Sequence, residues 1–146
     1  MIKRQRIEEA ISKKITEILR RNLTRSKNKY IIYTDSAANT RIKERTLVKN
    51  MGIGWVQMNE MQEWPEEELA FSFEGWPSLT IAELVAIWAA ILTIPKEKQV
   101  EIYTDSNAAI RNISRGLKQV DRKKILEKKN AMWIVKIIDL VRTKNI

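Results

Sequence analysis

Apolar residues recur at Ile7, Ile11, Ile15, Ile18, Leu19 and Leu23 among charged positions, a spacing that predicts an amphipathic helix with basic flanks over residues 2–23. The polar stretch TRSKNK (24–29) ends it, and the β-branched and aromatic run YIIY (30–33) predicts a first strand. SAANTRIKERTLVKN (36–50) is mostly polar and predicts a long turn. MGIGWVQM (51–58) predicts a second strand, in which Gly52 and Gly54 permit close backbone approach. After the connector NEMQEWPEEE, the alternating LAFSFEGW (69–76) predicts a third. Three strands with short links imply an antiparallel meander.

The period then changes. In SLTIAELVAIWAAILTIP, residues Ile81, Leu84, Val85, Trp88, Ile91 and Leu92 share one helical stripe. Thr80 and Glu83 have capping-box spacing, which starts the helix at Thr80, and Pro95 stops it. VEIYTD (100–105) predicts a fourth strand, and SNAAIRNIS a short helix with Asp105 or Ser106 at its N-cap. A basic irregular stretch, RGLKQVDRKKILEKKN, leads to a final apolar helix in NAMWIVKIIDLVRTKNI, capped by Asn130. A right-handed crossover through the first core helix brings strand four back parallel to an earlier strand. Its natural neighbour is strand one, because IYTDS occurs at both 32–36 and 102–106. The expected fold class is α/β with a mixed sheet: strands 1–3 antiparallel, strand 4 parallel to strand 1, and an extra N-terminal helix.

That arrangement sets two carboxylates side by side. With matching register, Asp35 and Asp105 emerge from the C-terminal ends of adjacent parallel strands, where ligand sites of α/β sheets form. Neighbouring carboxylates repel, so they need a shared proton or a cation, and hard Mg²⁺ or Mn²⁺ ions prefer such oxygens. Glu83, in the first turn of the intervening helix, either caps its own helix or projects toward the same strand ends. Composition narrows the chemistry further. The chain has no cysteine and no histidine. This excludes thiolate nucleophiles, zinc sites built on Cys or His, and any nucleophile activated by histidine.

Charge is unevenly spread over the 146 residues. Residues 1–29 carry ten Lys/Arg against three Asp/Glu, residues 30–110 six against twelve, and residues 111–146 eleven against three. Two basic ends flank an acidic middle, a pattern that suits a polyanionic partner, nucleic acid first. No apolar run is long enough to span a bilayer, and no apolar signal segment opens the chain, so an intracellular location, cytoplasmic or nuclear, is expected.

IIYTDSAA, MGIGWVQ, TIAELVAIWAAI and VEIYTDSNAAI, in that order, resemble the type 1 ribonuclease H domain, cellular or joined to a reverse transcriptase. The resemblance covers residues 29–146, leaving residues 1–28 as a basic amphipathic helix and linker. It implies cleavage of the RNA strand of RNA–DNA hybrids by a two-metal site holding Mg²⁺ or Mn²⁺. Asp35, Glu83 and Asp105 correspond to three of the family's four catalytic acids. Asp35 corresponds to the acid that touches both ions. The resemblance also implies substrate contacts from Ser36, Ser106 and Asn107, and from a basic run that includes Arg115, Lys118, Arg122, Lys123 and Lys124. Retroviral integrases and transposases share this fold but take their glutamate from a late helix, whereas Glu83 precedes the second aspartate.

The resemblance departs from the family pattern at the C-terminus. The family continues into a fifth strand and a helix opened by a fourth carboxylate, and RTKNI ends where that strand begins. The expectation is a C-terminally incomplete domain whose three acids suffice for one ion. Three explanations stay open: a truncated chain, a decayed mobile-element copy, or a catalytically inactive nucleic-acid-binding remnant. Association with a reverse transcriptase, a role for the N-terminal helix in hybrid binding, and the oligomeric state stay open too.

Overall fold

The elements follow the predicted order in a computed structural model that describes residues 2–43, 46–74, 79–119, 123 and 130–146, with side chains left aside at 2–10, 36–43, 46–51 and 73–74. They are α1 (Ile2–Arg25), β1 (Lys29–Lys43), β2 (Thr46–Met58), β3 (Pro65–Glu74), α2 (Leu79–Leu92), β4 (Gln99–Tyr103), α3 (Asn107–Lys118) and α4 (Ala131–Lys144). The described strands form one sheet in the order β3-β2-β1-β4. β1 is antiparallel to β2 and parallel to β4, and β2 is antiparallel to β3.

One prediction is overturned. The polar stretch 36–50 is not a long turn: β1 runs on to Lys43, β2 begins at Thr46, and the two pair in register from Ile31↔Met58 to Lys43↔Thr46. An antiparallel ladder satisfies the backbone groups of both strands without apolar side chains. Among the described residues β3 pairs with β2 as far as Asn50↔Glu74, and beyond that row β1 and β2 pair as a two-stranded ribbon. Smaller differences are that α2 begins at Leu79 and that Asn130 caps α4 in left-handed geometry without a side-chain hydrogen bond.

The sheet has one buried face and one open face. Tyr30 and Ile32 of β1, Ile53 and Trp55 of β2 and Leu69 of β3 join the helical side chains in a single core. Cross-strand partners show that these residues share a face. The alternate residues Tyr33, Asp35, Glu68, Ala70 and Ser72 are exposed on the other. α2 is buried nearly all round, from Ala82 to Ile91, which explains its near-continuous apolar sequence. Trp88 meets Trp133 of α4 edge-on at 5.5 Å. Beyond α2, the Lys144 ammonium donates to the carbonyls of Ile91 (3.1 Å), Leu92 (3.0 Å) and Ile94 (2.6 Å), oxygens left over at the helix end. Burial, with Lys96 nearby, lowers its pKa to about 8.

α1 is built into the same core. Ile11, Ile15 and Ile18 are buried, and the stripe continues at the next helical position with Asn22, fully buried, whereas Leu23 is 59% exposed. Asn22 and Gln57 of β2 exchange side-chain hydrogen bonds of 2.9 Å in both directions, and Asn22 Nδ2 also donates to the Thr93 carbonyl at 3.0 Å. The Tyr30 hydroxyl donates to the Asn22 carbonyl. Charged pairs extend the clamp: Arg21 and Arg25 reach Glu67 of β3 at 2.7 and 2.6 Å, and Lys27 reaches Glu66 at 2.8 Å.

Burial pulls the Glu66 and Glu67 carboxyls upward. Hydrogen bonds from Lys27 and Gln57 to Glu66, and from Arg21 and Arg25 to Glu67, outweigh it and leave both below their ordinary value of 4.5. A carboxylate lowered in the folded state contributes stability that is present above its unfolded value and lost as pH falls through its folded value. The urea midpoint should therefore fall as pH drops below about 4.5, and Glu67→Gln should flatten that dependence. An acid slope identical in the variant would rule out the clamp as its source.

Candidate functional site

The repeated pentapeptides lie side by side. β1 and β4 pair in parallel from Lys29↔Gln99 to Tyr33↔Tyr103, so Ile32 faces Ile102 and the Tyr33 and Tyr103 rings stack at 4.9 Å and 16°. Two residues beyond that last pair the segments reach Asp35 and Asp105. β4 stops at Tyr103, where the Thr34 hydroxyl donates to the Tyr103 carbonyl at 3.4 Å. Asp105 therefore sits in a loop, while Asp35 lies inside β1, opposite Gly54 of β2, and not at a strand end as the short first strand implied. Both aspartates are exposed.

The loop holding Asp105 is anchored on both sides. Ser106 is the N-cap of α3: its hydroxyl accepts from the Ala109 amide at 3.1 Å, and its own amide donates to the Thr104 hydroxyl at 3.2 Å. α3 in turn lies close on α4 at Gly116, where a Cβ would come within 2.2 Å of Ile138 Cδ1. Glu83 lies half-buried near the start of α2. Topology directs that start toward the Asp35 end of the sheet, because β3 runs in the direction of β1 and delivers the chain there.

An all-oxygen donor set of this kind suits a hard divalent ion. Among the described residues, however, no three Asp, Glu, His or Cys side chains converge closely enough to hold a metal. The donor chemistry suits such an ion, while the side chains as placed do not close around one.

What the fold does build is an open depression around Asp35. One part, of about 360 Å³, is lined by Asp35, Gly52, Gly54, Ala70, Phe71 and Ser72, with Ile53. An adjoining part of about 520 Å³ shares Asp35, Gly54 and Ala70 and extends to Tyr33, Val56, Glu68 and Lys14. The floor is open because the open-face residues beside Asp35 are small. Gly54 is the key position: an added Cβ would meet only the Leu69 carbonyl at 3.4 Å and the Asp35 carbonyl at 4.0 Å. Gly54→Val should therefore fold while standing a branched side chain beside Asp35. Its thermal midpoint should change little, and a large fall would mean that the added side chain does not fit beside Asp35.

The substrate residues fall out unevenly. Ser106 is 7% exposed and committed to its cap. Asn107, Arg115, Lys118 and Lys123 are exposed. The Ser36 backbone pairs with Ile53, but its side chain lies outside the described residues, as do Arg122 and Lys124. Two residues that the sequence reading passed over matter here: Asn22, whose signal was a polar residue four after Ile18 on the apolar stripe, and Lys14, for which the sequence carries no distinguishing signal.

The described sheet is thus mixed and four-stranded, with edge strand β4 parallel to β1, Asp35 within β1 and Asp105 in the loop after β4. The ribonuclease H family model matches residues 27–145. The chain belongs to the ribonuclease H family. Among solved structures it is similar to the N-terminal RNase H domain of Rv2228c from Mycobacterium tuberculosis, determined as a fusion with maltose-binding protein: 14% identity, 80% of this chain and 76% of that one covered, TM-score 0.57. At that identity the likeness shows the fold. No curated protein is similar enough to count as a match.

Proposed function

We propose that the chain hydrolyses the RNA strand of RNA–DNA hybrids, using Asp35, Glu83 and Asp105 with Mg²⁺ or Mn²⁺. The observation that supports this reading is the parallel, in-register pairing of Ile32 and Tyr33 with Ile102 and Tyr103, two strands that lead on to Asp35 and Asp105 in a ribonuclease H family member. When bound, such an ion supplies an activated water and charge stabilisation for the leaving oxygen. The residues themselves do the positioning. Asp35 lines both parts of the depression, small neighbours leave room for a sugar–phosphate backbone, and the Ser106 cap holds the Asp105 loop. Asn107, with the exposed Arg115, Lys118 and Lys123, offers polar and cationic contacts to the duplex.

The lack of a closed three-acid cluster among the described residues favours a second reading: hybrid binding without turnover. One experiment separates them. Purified protein is incubated with a labelled RNA–DNA hybrid at millimolar Mg²⁺ or Mn²⁺, and binding is measured in parallel without metal. Metal-dependent RNA cleavage supports hydrolysis. Salt-sensitive binding with no product supports the remnant, and neither signal removes both.

A further inference from the structure

The α1 helix precedes the family-matched segment, which begins at residue 27. It nonetheless supplies a cation to the depression around Asp35. We infer that Lys14 is a positioning residue that grips a backbone phosphate of the nucleic acid entering that depression; the inference rests on the hybrid-binding reading above.

Three observations carry it. First, Lys14 lines the same depression as Asp35, Tyr33, Gly54 and Glu68, and it is the one lining residue there that comes from a helix. Second, its position is fixed. Ile11 and Ile15 beside it are buried, and the clamp through Asn22, Arg21 and Arg25 holds the helix against β2 and β3. The ammonium itself rests over the Phe71 ring at 4.9 Å from its centroid, and Phe71 lines the adjoining part of the depression. Third, electrostatics demands it. Among the described residues of that lining, the other charged groups are two acids, Asp35 and Glu68, at a place where a polyanion would come close. A fixed ammonium offsets that repulsion, and an exposed lysine held on an aromatic face keeps its protons free to donate to phosphate oxygens. Lys13 and Arg20, also exposed on α1, extend the basic surface away from the site.

The test measures hybrid affinity by fluorescence anisotropy without divalent metal, over a salt series, for wild type, Lys14→Gln and Lys14→Arg, with thermal midpoints recorded for each. Loss of one phosphate contact should weaken binding roughly three- to tenfold near 0.1 M salt and reduce the slope of log K against log salt by about one. Lys14→Arg should restore both. In turnover, Lys14→Gln should raise KM and leave kcat, because the contact is made before and during reaction alike. Equal affinity and equal slope in Lys14→Gln overturn the assignment while leaving the functional reading intact. A wild-type protein that binds no hybrid overturns that reading, and the Lys14 role with it. Weaker binding that tracks a lowered midpoint, and that Arg does not rescue, assigns Lys14 to packing and also overturns the inference.

Discussion

Asp35→Asn is expected to abolish metal-dependent cleavage of an RNA–DNA hybrid, with a loss of roughly 10²–10⁴-fold in kcat, while the protein stays folded and still binds. The substitution is nearly isosteric and removes one negative charge. Asp35 is exposed and lines both parts of the depression, so its neutralisation costs the core nothing. Its two effects on substrate oppose each other. Removing a carboxylate that faces a polyanion should hold hybrid affinity constant or raise it, whereas chemistry that needs the charged form is lost. A fall in kcat without a rise in KM is therefore the signature, and it marks an interaction made in the transition state. The same substitution at Asp105 should behave alike if the two aspartates act as one unit, with the double variant no slower than either single one. A variant that cleaves at the wild-type rate would remove Asp35 from the reaction.

The strand pairing beneath this candidate site was legible in the sequence, for a physical reason. Strand pairing has a period of two and tolerates no slip where one face is buried. Two identical segments flanking a single crossover therefore had one plausible relation, parallel and in register, and Ile32 does face Ile102. The meander and the central buried helix were legible on the same ground, since burial imposes period. What was not legible lacked a burial signature. The sequence of the β1–β2 ribbon beyond Asn39 lacks a clean apolar–polar alternation, so its pattern does not separate strand from turn; the ladder does. This is also why Asp35 was expected at a strand end. The reading of α1 went astray at a single residue. Leu23 completed an apolar count, but 3.6 residues per turn place Asn22, not Leu23, on the line of Ile11, Ile15 and Ile18. The closure of Glu83 on the aspartate pair depends on where a half-buried side chain turns, which no spacing encodes.

Asn22 has the largest expected effect on stability. Its carboxamide is fully buried and serves three groups: Nδ2 donates to Gln57 Oε1 and to the Thr93 carbonyl, while Oδ1 accepts from Gln57 Nε2 and from Arg25 at 3.0 Å. Asn22→Leu suits the apolar stripe and improves helix propensity, and hydrophobicity alone would score it as stabilising. The opposite should be observed. The leucine would leave Gln57 Oε1 and the Thr93 carbonyl without this donor in a buried setting, each costing about 1–3 kcal/mol, so urea unfolding should show a loss of about 3 kcal/mol. Gln57→Leu alone should also destabilise, because it removes one buried partner from each polar atom of the Asn22 carboxamide and a donor from Glu66. The double variant removes both halves of the pair and leaves only the Thr93 carbonyl orphaned. It should be more stable than the sum of the single losses predicts, by about 1–2 kcal/mol. Because α1 carries Lys14, loosening this contact should also weaken hybrid binding in Asn22→Leu, although Asn22 lines neither part of the depression. Strict additivity in the cycle would show that Asn22 and Gln57 act independently, and that packing of the isoleucines alone holds the helix in place.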